Sequence, residues 1–113
     1  MWINCQIISN NIIIYEKIHE FINKTYFLTL CEENEEKNII FWDNDSFNID
    51  LSYLNKYLLQ NSIIIIISSL YPKDFIISSF ENKQILQIGY MTKIDSYSSF
   101  VTEVNRLIEN LNF

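Results

Sequence analysis

Short apolar runs along the chain predict five β-strands. Residues 63–67 are five consecutive isoleucines, and β-branched side chains in such a run favour a central strand that is covered on both faces. Less uniform apolar runs predict four further strands, at residues 2–8, 26–31, 38–42 and 84–90. Strand segments are therefore spread over most of the chain.

Apolar residues between these runs recur at the spacing of helices. Residues 12–24 carry such a stripe, and the Ser-Asn-Asn sequence before them is suited to capping a helix. Further helices are predicted after Asp50, from Pro72, and from a cap at Asp95 or Ser96. The predicted buried residues of the four helices are Ile14, Ile18, Phe21 and Ile22; Leu51, Leu54 and Leu58; Ile76, Ile77 and Phe80; and Phe100, Val104, Leu107, Ile108 and Leu111.

Strands that alternate with helices indicate an α/β fold. The pattern predicts a single domain over residues 1–113, with three α/β/α layers around a flavodoxin-like, five-stranded parallel sheet in the order 2-1-3-4-5. Only the polar segment 32–37 separates the second and third strands, whereas a parallel crossover usually takes about a dozen residues. We therefore expect the second helix of this fold to be short or missing.

Composition narrows the class of protein. The 113 residues are 49% hydrophobic, which excludes a disordered chain, and the formal net charge of −6 argues against direct nucleic acid binding. Cys5 and Cys31 lie in or beside apolar runs, as expected for buried thiols in a reducing compartment. Because there is no basic leader and the isoleucine run is too short to span a bilayer, we expect a soluble cytoplasmic protein without membrane contact.

Polar side chains follow four of the predicted strands. The carboxyl ends of parallel strands meet at one edge of a sheet, where ligands of such folds bind. The predicted site therefore combines residues from four loops: Ser9 and Asn10, Asp43, Ser68 and Ser69, and Lys93.

This pattern resembles the receiver domains of bacterial response regulators, which belong to two-component signal transduction systems. The most specific part is residues 63–111, where an apolar strand, a hydroxyl pair, a helix, a strand, Tyr-x-x-Lys-x-Asp and a terminal helix follow one another. The resemblance implies that Asp43 is equivalent to the phosphoacceptor aspartate. It implies that Ser68 or Ser69, Tyr90 and Lys93 are the switch and phosphate-site equivalents, and that Lys93 contacts Asp43.

The chain departs from the family at the metal site. Receivers bind Mg²⁺ with an acidic pair at the end of the first strand, and the matching residues here are the neutral Ser9 and Asn10. Without a metal, Asp43 would repel an incoming phosphoryl dianion. We therefore expect a pseudo-receiver with no resident cofactor, in which Asp43 and Asp45 could hold Mg²⁺ only weakly.

Other positions depart from the family pattern in the same direction. Phe47 and Leu51 stand where receivers often carry proline and glycine, and Ile94 replaces the proline that usually follows the lysine.

Each predicted site residue also has a purely structural alternative. Asp43 could be a local cap and Lys93 an exposed lysine at a helix entrance. Ser68 and Ser69 could simply form a loop, and Tyr90 could pack on the sheet edge.

No enzyme activity is expected. His19, the only histidine, lies away from the strand ends, and no nucleophile–base–acid trio can be assembled. Because Gly89 is the only glycine, a phosphate-binding glycine loop is excluded. The alternative is a small flavodoxin-like ligand-binding protein or enzyme that shares only the architecture. The absence of a phosphate loop after the first strand argues against that alternative.

The resemblance also implies a surface for a protein partner or a homodimer. In the family this surface is made by helix 4, strand 5 and helix 5, which match the third predicted helix, the last strand and the final helix here. Such a module could act without phosphorylation, as the regulatory part of a transcriptional regulator. The charged and aromatic residues of this region are Tyr71, Lys73, Asp74, Glu81, Lys83, Tyr97, Glu103 and Arg106.

Overall fold

The computed structural model describes residues 2–31, 36–49 and 51–111 and has strands and helices in alternation. The strands are β1 (Ile3–Ile8), β2 (Leu28–Leu30), β3 (Ile39–Asp43), β4 (Ile63–Ile67) and β5 (Ile88–Met91). The helices are α1 (Ile12–Lys24), α2 (Leu51–Leu59), α3 (Lys73–Ile77) and α4 (Tyr97–Leu111), with a 3₁₀ helix at Asn82–Gln87.

The five strands form one parallel sheet in the order β2-β1-β3-β4-β5. This confirms the predicted flavodoxin-like fold. All strands run in the same direction, so the loops after β1, β3, β4 and β5 meet at one edge of the sheet. We call this edge the carboxyl edge.

Helices cover the sheet on two sides and produce two hydrophobic cores. One core contains Ile18 of α1, Phe41 of β3 and Phe100 of α4, and the other contains Trp42 of β3 and Leu54 of α2. The isoleucines of β4 divide between the two cores by strand alternation, which confirms the prediction of a strand buried on both faces.

Side-chain caps set the start of two helices. The Asn11 side chain accepts hydrogen bonds from the N–H groups of Ile13 and Ile14, and Ser96 accepts from the N–H of Ser99 at 3.2 Å. Asp50, the predicted cap of α2, lies outside the described residues. Pro72 stands directly before α3 instead of in its first turn.

The region before β5 differs from its predicted conformation. Residues 82–87 form a 3₁₀ helix, so the strand begins at Ile88 and not at Gln84. The two donors of the Gln87 amide bond the carbonyls of Leu58 and Ser62, at 2.9 and 2.8 Å, and the N–H of Glu81 donates to Gln84. These polar contacts favour a turned segment over an extended one.

The connection between β2 and β3 remains short. Its described residues, 31 and 36–38, contain no helix, and residues 32–35 of the predicted loop or short helix lie outside the described part. Asn4 of β1 holds this connection by donating to the Asn38 side chain and to the carbonyl of Glu36, at 2.9 Å each. No described helix is long and apolar enough to cross a membrane.

The two thiols are not joined to each other. Cys5 is fully buried and Cys31 is partly buried. Burial raises the pKa of the Cys5 thiol to about 12, and the nearby Cys31 adds to this effect. The Cys5 thiol therefore has the character of a small apolar side chain, as predicted.

Gly89 allows α4 to pack closely on β5. A Cβ atom there would lie 2.5 Å from Leu107 Cδ1 and 3.0 Å from Ile65 Cγ1. We expect Gly89→Ala to lower the free energy of unfolding by about 1–3 kcal/mol through overpacking. Urea denaturation measures this, with the exposed Thr102→Ala of α4 as control, and an unchanged Gly89→Ala midpoint would contradict the packing.

Candidate functional site

The carboxyl edge brings together most of the predicted site residues, Asp45, which was considered only as a weak Mg²⁺ ligand beside Asp43, and Ser46, which was not predicted. We call this group the strand-end cluster. It comprises Ser9, Asp43, Asp45, Ser46, Ser68, Ser69 and Lys93. Its two carboxylates have different partners, so they are described separately.

Asp43 is the last residue of β3 and is fully buried. It shares its strand face with Phe41, so its carboxyl group points towards Ser9 at the end of β1. The hydroxyls of Ser9 and Ser46 both donate to Asp43 Oδ2 at 2.8 Å, and the N–H of Asp45 donates to Oδ1 at 3.2 Å. Neutral donors therefore hold this carboxylate.

Asp45 lies in the turn after β3 and points towards β4 and β5. Its carboxylate accepts from the Ser68 hydroxyl and the Ser69 N–H, both at 2.7 Å. Lys93 Nζ lies 3.2 Å from Asp45 Oδ2, and the two side chains are 27% and 3% exposed, respectively. The expected contact between Lys93 and Asp43 is therefore wrong, because the chain turns after Asp43 and brings the next acid to the lysine.

The surroundings of Asp45 stabilise its charged form. Burial favours a higher pKa for this carboxyl group, but the Ser69 N–H, the Ser68 hydroxyl and the Lys93 ammonium together outweigh burial. The pKa of Asp45 is accordingly below its ordinary value. The carboxylate is thus both buried and ionised, with three donors around it.

Ser9 and Asn10, which the sequence matched to the acidic pair of receivers, both bind the turn after β3. Asn10 donates through its backbone N–H to Ser46 Oγ at 2.9 Å and through its side chain to the Ser46 carbonyl at 3.2 Å. Ser46 had not been assigned to the site from sequence. The only signal was its position as a hydroxyl residue three places after a strand-end aspartate.

Tyr90 is joined to the loop after β4. Its hydroxyl lies 3.2 Å from the Ser68 carbonyl and 3.0 Å from that of Tyr71, so its proton can be donated to either. The Ser68 hydroxyl, which donates to Asp45, accepts from the Tyr71 N–H at 3.1 Å. A chain of polar contacts therefore connects Asp45 to Tyr90.

The loop that carries Lys93 is anchored on both sides. Lys17 of α1 donates to the carbonyl of Lys93, and the Lys93 N–H lies 3.4 Å from Ser69 Oγ. Asp95 accepts from the N–H and hydroxyl of Thr92, which closes the turn before α4. These contacts limit how far the lysine backbone can move away from Asp45.

Metal-binding groups are sparse at the carboxyl edge. Within residues 2–31, 36–49 and 51–111, no group of three or more His, Cys, Asp or Glu side chains is placed to hold a metal ion. His19 stacks on Tyr15 within α1, at 6.3 Å between ring centroids. Mg²⁺ binding at Asp43 and Asp45 would have to compete with the donors that already occupy their oxygens.

The residues predicted to form a partner surface lie in or beside α3, the 3₁₀ helix and α4. Tyr97 packs towards α1, where its hydroxyl lies 2.8 Å from Thr25 Oγ1 and its ring contacts Phe21. Glu103 is mostly buried, bonds Arg106 and accepts from the N–H of Tyr90. The exposed members of the predicted set are Tyr71, Lys73, Asp74, Glu81, Lys83 and Arg106.

Comparisons with known proteins agree with this geometry at the level of the fold. No family model and no curated protein matches the chain. Among solved structures, the response regulator ChrA of a heme-sensing two-component system matches with a TM-score of 0.66 and 13% sequence identity. The chain has a receiver-like fold. The match covers 96% of this chain but only 58% of ChrA, and at this identity it shows the fold alone.

The lowered pKa of Asp45 makes a pH-dependent contribution to stability. Because the pKa of Asp45 is lower in the folded protein than in the unfolded chain, its carboxylate stabilises the fold at pH values above the unfolded-chain pKa of 3.8. This contribution is lost as the pH falls through the folded-state pKa. At pH 7 we expect Asp45→Asn to lower the free energy of unfolding by about 1–3 kcal/mol.

Urea denaturation of the wild type and Asp45→Asn from pH 7 to about pH 2.5 tests this dependence. The difference in unfolding free energy between the two proteins should shrink at pH values below 3.8, the pKa of Asp45 in the unfolded chain. Glu16→Gln, which removes an exposed acid on α1, should show no such trend. A difference that stays constant with pH would contradict a depressed Asp45 pKa.

Proposed function

We propose that this chain is an atypical receiver domain that works without phosphorylation, through contacts with a protein partner. One observation carries the proposal: Lys93, the equivalent of the phosphate-binding lysine, forms a largely buried ion pair with Asp45, which also receives the Ser68 hydroxyl. In the proposed assignment, the Lys93 ammonium and the Ser68 hydroxyl are the groups that would contact a phosphoryl group on Asp43. In this chain both already bind the Asp45 carboxylate.

Electrostatics supports the same conclusion. A phosphoryl dianion that approaches Asp43 would meet two buried carboxylates, while the lysine is paired and Ser9 and Asn10 contribute no charge. Phosphoryl transfer depends on cations that neutralise charge between donor and acceptor. Without an acidic pair that binds Mg²⁺, the barrier to attack by Asp43 is raised.

The internal ion pair also favours one conformation of the carboxyl edge. Asp45 connects the turn after β3 to the loops after β4 and β5 through Ser68, Ser69 and Lys93. Tyr90 is fastened to the same β4 loop by its hydroxyl. We infer that the domain holds a constant signalling state that a partner reads, instead of one switched by phosphate.

The proposed partner surface has an apolar centre with charges of both signs around it. Phe75 of α3 is 58% exposed, Leu86 of the 3₁₀ helix is 57% exposed, and Tyr71 stacks on Phe75. The same region carries the exposed charges of Lys73 and Asp74 on α3 and of Arg106 on α4. Mixed charges around an apolar centre suit a two-fold homodimer, in which opposite charges can pair across the axis.

Regulation of transcription is the output that fits this proposal. The net charge of −6 disfavours direct contact with DNA by this domain, so a DNA-binding partner or domain would make that contact. This domain would then bring the DNA-binding partner or domain into a complex, and its own surface would decide which partner is recruited.

Treatment with a phosphodonor tests the absence of phosphorylation. With acetyl phosphate or beryllofluoride and Mg²⁺, we expect no acyl phosphate by mass spectrometry and no NMR shifts around Asp43, Ser68 and Lys93. Near-stoichiometric modification of Asp43 or Asp45 in the wild type would reject the proposal.

Introducing an acidic pair at residues 9 and 10 is the matched gain-of-function test of the metal site. The double substitution Ser9→Asp and Asn10→Asp should raise Mg²⁺ affinity by at least about tenfold, since Mg²⁺ is held chiefly by carboxylates. Asn48→Asp, in the exposed segment after β3, is the control for added charge. Equal Mg²⁺ affinity in all three proteins would show that the neutral pair is not what weakens the metal site.

The partner surface can be tested by self-association. We expect the wild type to sediment as a dimer and Phe75→Glu to weaken that dimer by at least about tenfold, because a charge is placed in the apolar centre. Leu59→Glu changes an even more exposed apolar residue on α2 and should have no effect. A monomeric wild type, or a dimer unaffected by Phe75→Glu, would reject self-association through this surface.

A further inference from the structure

A pocket of about 210 Å³ lies between the sheet and α3, beside the end of β3. Its floor is formed by Trp42 of β3 and Ile66 of β4, which are paired in register and so lie side by side on one face of the sheet. Asp43 follows Trp42 in the strand and points to the opposite face. The pocket is therefore separate from the strand-end cluster.

Aromatic rings make up half of the described lining of this pocket. These residues are Trp42, Tyr71, Phe75 and Phe80. The ring of Tyr71 stacks on that of Phe75, with 5.3 Å between the centroids. Tyr71 is also held through its backbone, because its N–H donates to the Ser68 hydroxyl and its carbonyl lies 3.0 Å from the Tyr90 hydroxyl. A wall that is already ordered reduces the entropy lost when a flat ring binds against it.

Asn44 adds a polar side chain to the pocket. Its N–H donates to the Ile67 carbonyl at 3.0 Å, which continues the ladder between β3 and β4 one residue beyond Asp43. Strand alternation then places the Asn44 side chain on the same face as Trp42, and Asn44 lines the pocket. The residue is half-buried, and its side-chain amide bonds none of the residues that the structure describes. A donor and an acceptor are thus available to a ligand.

The other polar group in the lining is also neutral. Ser79 follows α3, is exposed, and has a hydroxyl that bonds none of the described residues. No charged side chain occurs among the described residues that line the pocket. A charged ligand would lose hydration there without an opposite charge to offset the loss, so the lining favours a neutral ligand.

We propose that the pocket binds a small neutral molecule with a single aromatic ring and a carboxamide. The ring would lie against the aromatic walls, and the carboxamide would pair with Asn44, since each amide both donates and accepts. An apolar cavity of roughly 150 Å³ holds benzene, so a volume of about 210 Å³ suits one ring with a short substituent. None of these ligand contacts involves phosphate or the strand-end cluster, so the proposal does not rest on the receiver assignment.

Benzamide and acetophenone test the site as a matched pair. They have nearly the same shape, but acetophenone carries a methyl group in place of the amide NH₂. In NMR titrations, benzamide should saturate shifts of the Trp42 indole N–H and of residues 71–80, with a dissociation constant on the order of 1 mM. The indole N–H of Trp2, which is 67% exposed and precedes β1, should not shift.

Acetophenone should bind about fivefold more weakly than benzamide, because it cannot donate to the Asn44 side chain. Asn44→Leu should bring the two affinities within about twofold of each other. Asn44→Ser, with a shorter side chain that also suits a turn, should do the same. Asn105→Leu, which changes an exposed asparagine on α4, should keep the preference for benzamide. Equal affinities in the wild type, or a preference retained in both Asn44 variants, would overturn recognition of the carboxamide.

Tyr71 and Phe75 also belong to the proposed partner surface, so a dimer could cover the pocket. Leu86→Glu places a charge on that surface at a residue outside the pocket lining. The benzamide titration is therefore made with both the wild type and Leu86→Glu. Saturable shifts at the Trp42 indole N–H are expected at least in Leu86→Glu, and their absence from both proteins would reject the pocket as a binding site.

Discussion

The ion pair between Asp45 and Lys93 is the interaction on which the carboxyl edge depends. A carboxylate that is only 3% exposed loses most of its hydration, and this cost must be offset by donors inside the protein. Ser68, Ser69 and Lys93 supply three of them from two different loops. Removing one donor would leave a buried charge poorly compensated, so the turn after β3 and the loops after β4 and β5 stabilise one another.

Two acids lie two residues apart at this edge, yet their environments differ. Asp43 remains in the strand and binds hydroxyls from the β1 end and its own turn, whereas Asp45 reaches the lysine. This division of partners explains how the receiver-like fold persists while the groups suited to phosphate are used internally. Under the proposed assignment, the residues matched to a receiver's phosphate site instead hold the carboxyl edge of this fold together.

Much of the fold follows from local patterns in the sequence. The isoleucines at 63–67, the stripe of α1 and the stripe of α4 each predict one element, and the parallel sheet order follows from their alternation. The predicted start of β5 was wrong because Gln87 bonds Leu58 and Ser62, which are distant from it in sequence. Periodicity reports local preference and carries no information about such contacts.

The loops that meet at the carboxyl edge follow from the predicted sheet, but their atomic contacts do not. The position of Lys93 after β5 placed it at the carboxyl edge, but its choice between Asp43 and Asp45 depends on a turn over residues 44–46. The backbone N–H of Asp45 bonding back to Asp43 shapes that turn. The contacts of Ser46 with Asp43 and Asn10 also depend on how this turn packs against the end of β1.

A double-mutant cycle between Asp45→Asn and Lys93→Met tests the central claim most directly. The account predicts a coupling of at least about 1 kcal/mol in the free energy of unfolding, above the range of most exposed ion pairs. The same cycle between Asp43→Asn and Lys93→Met should give a smaller coupling. A coupling near zero for Asp45 and Lys93, or a larger one for Asp43 and Lys93, would contradict the account.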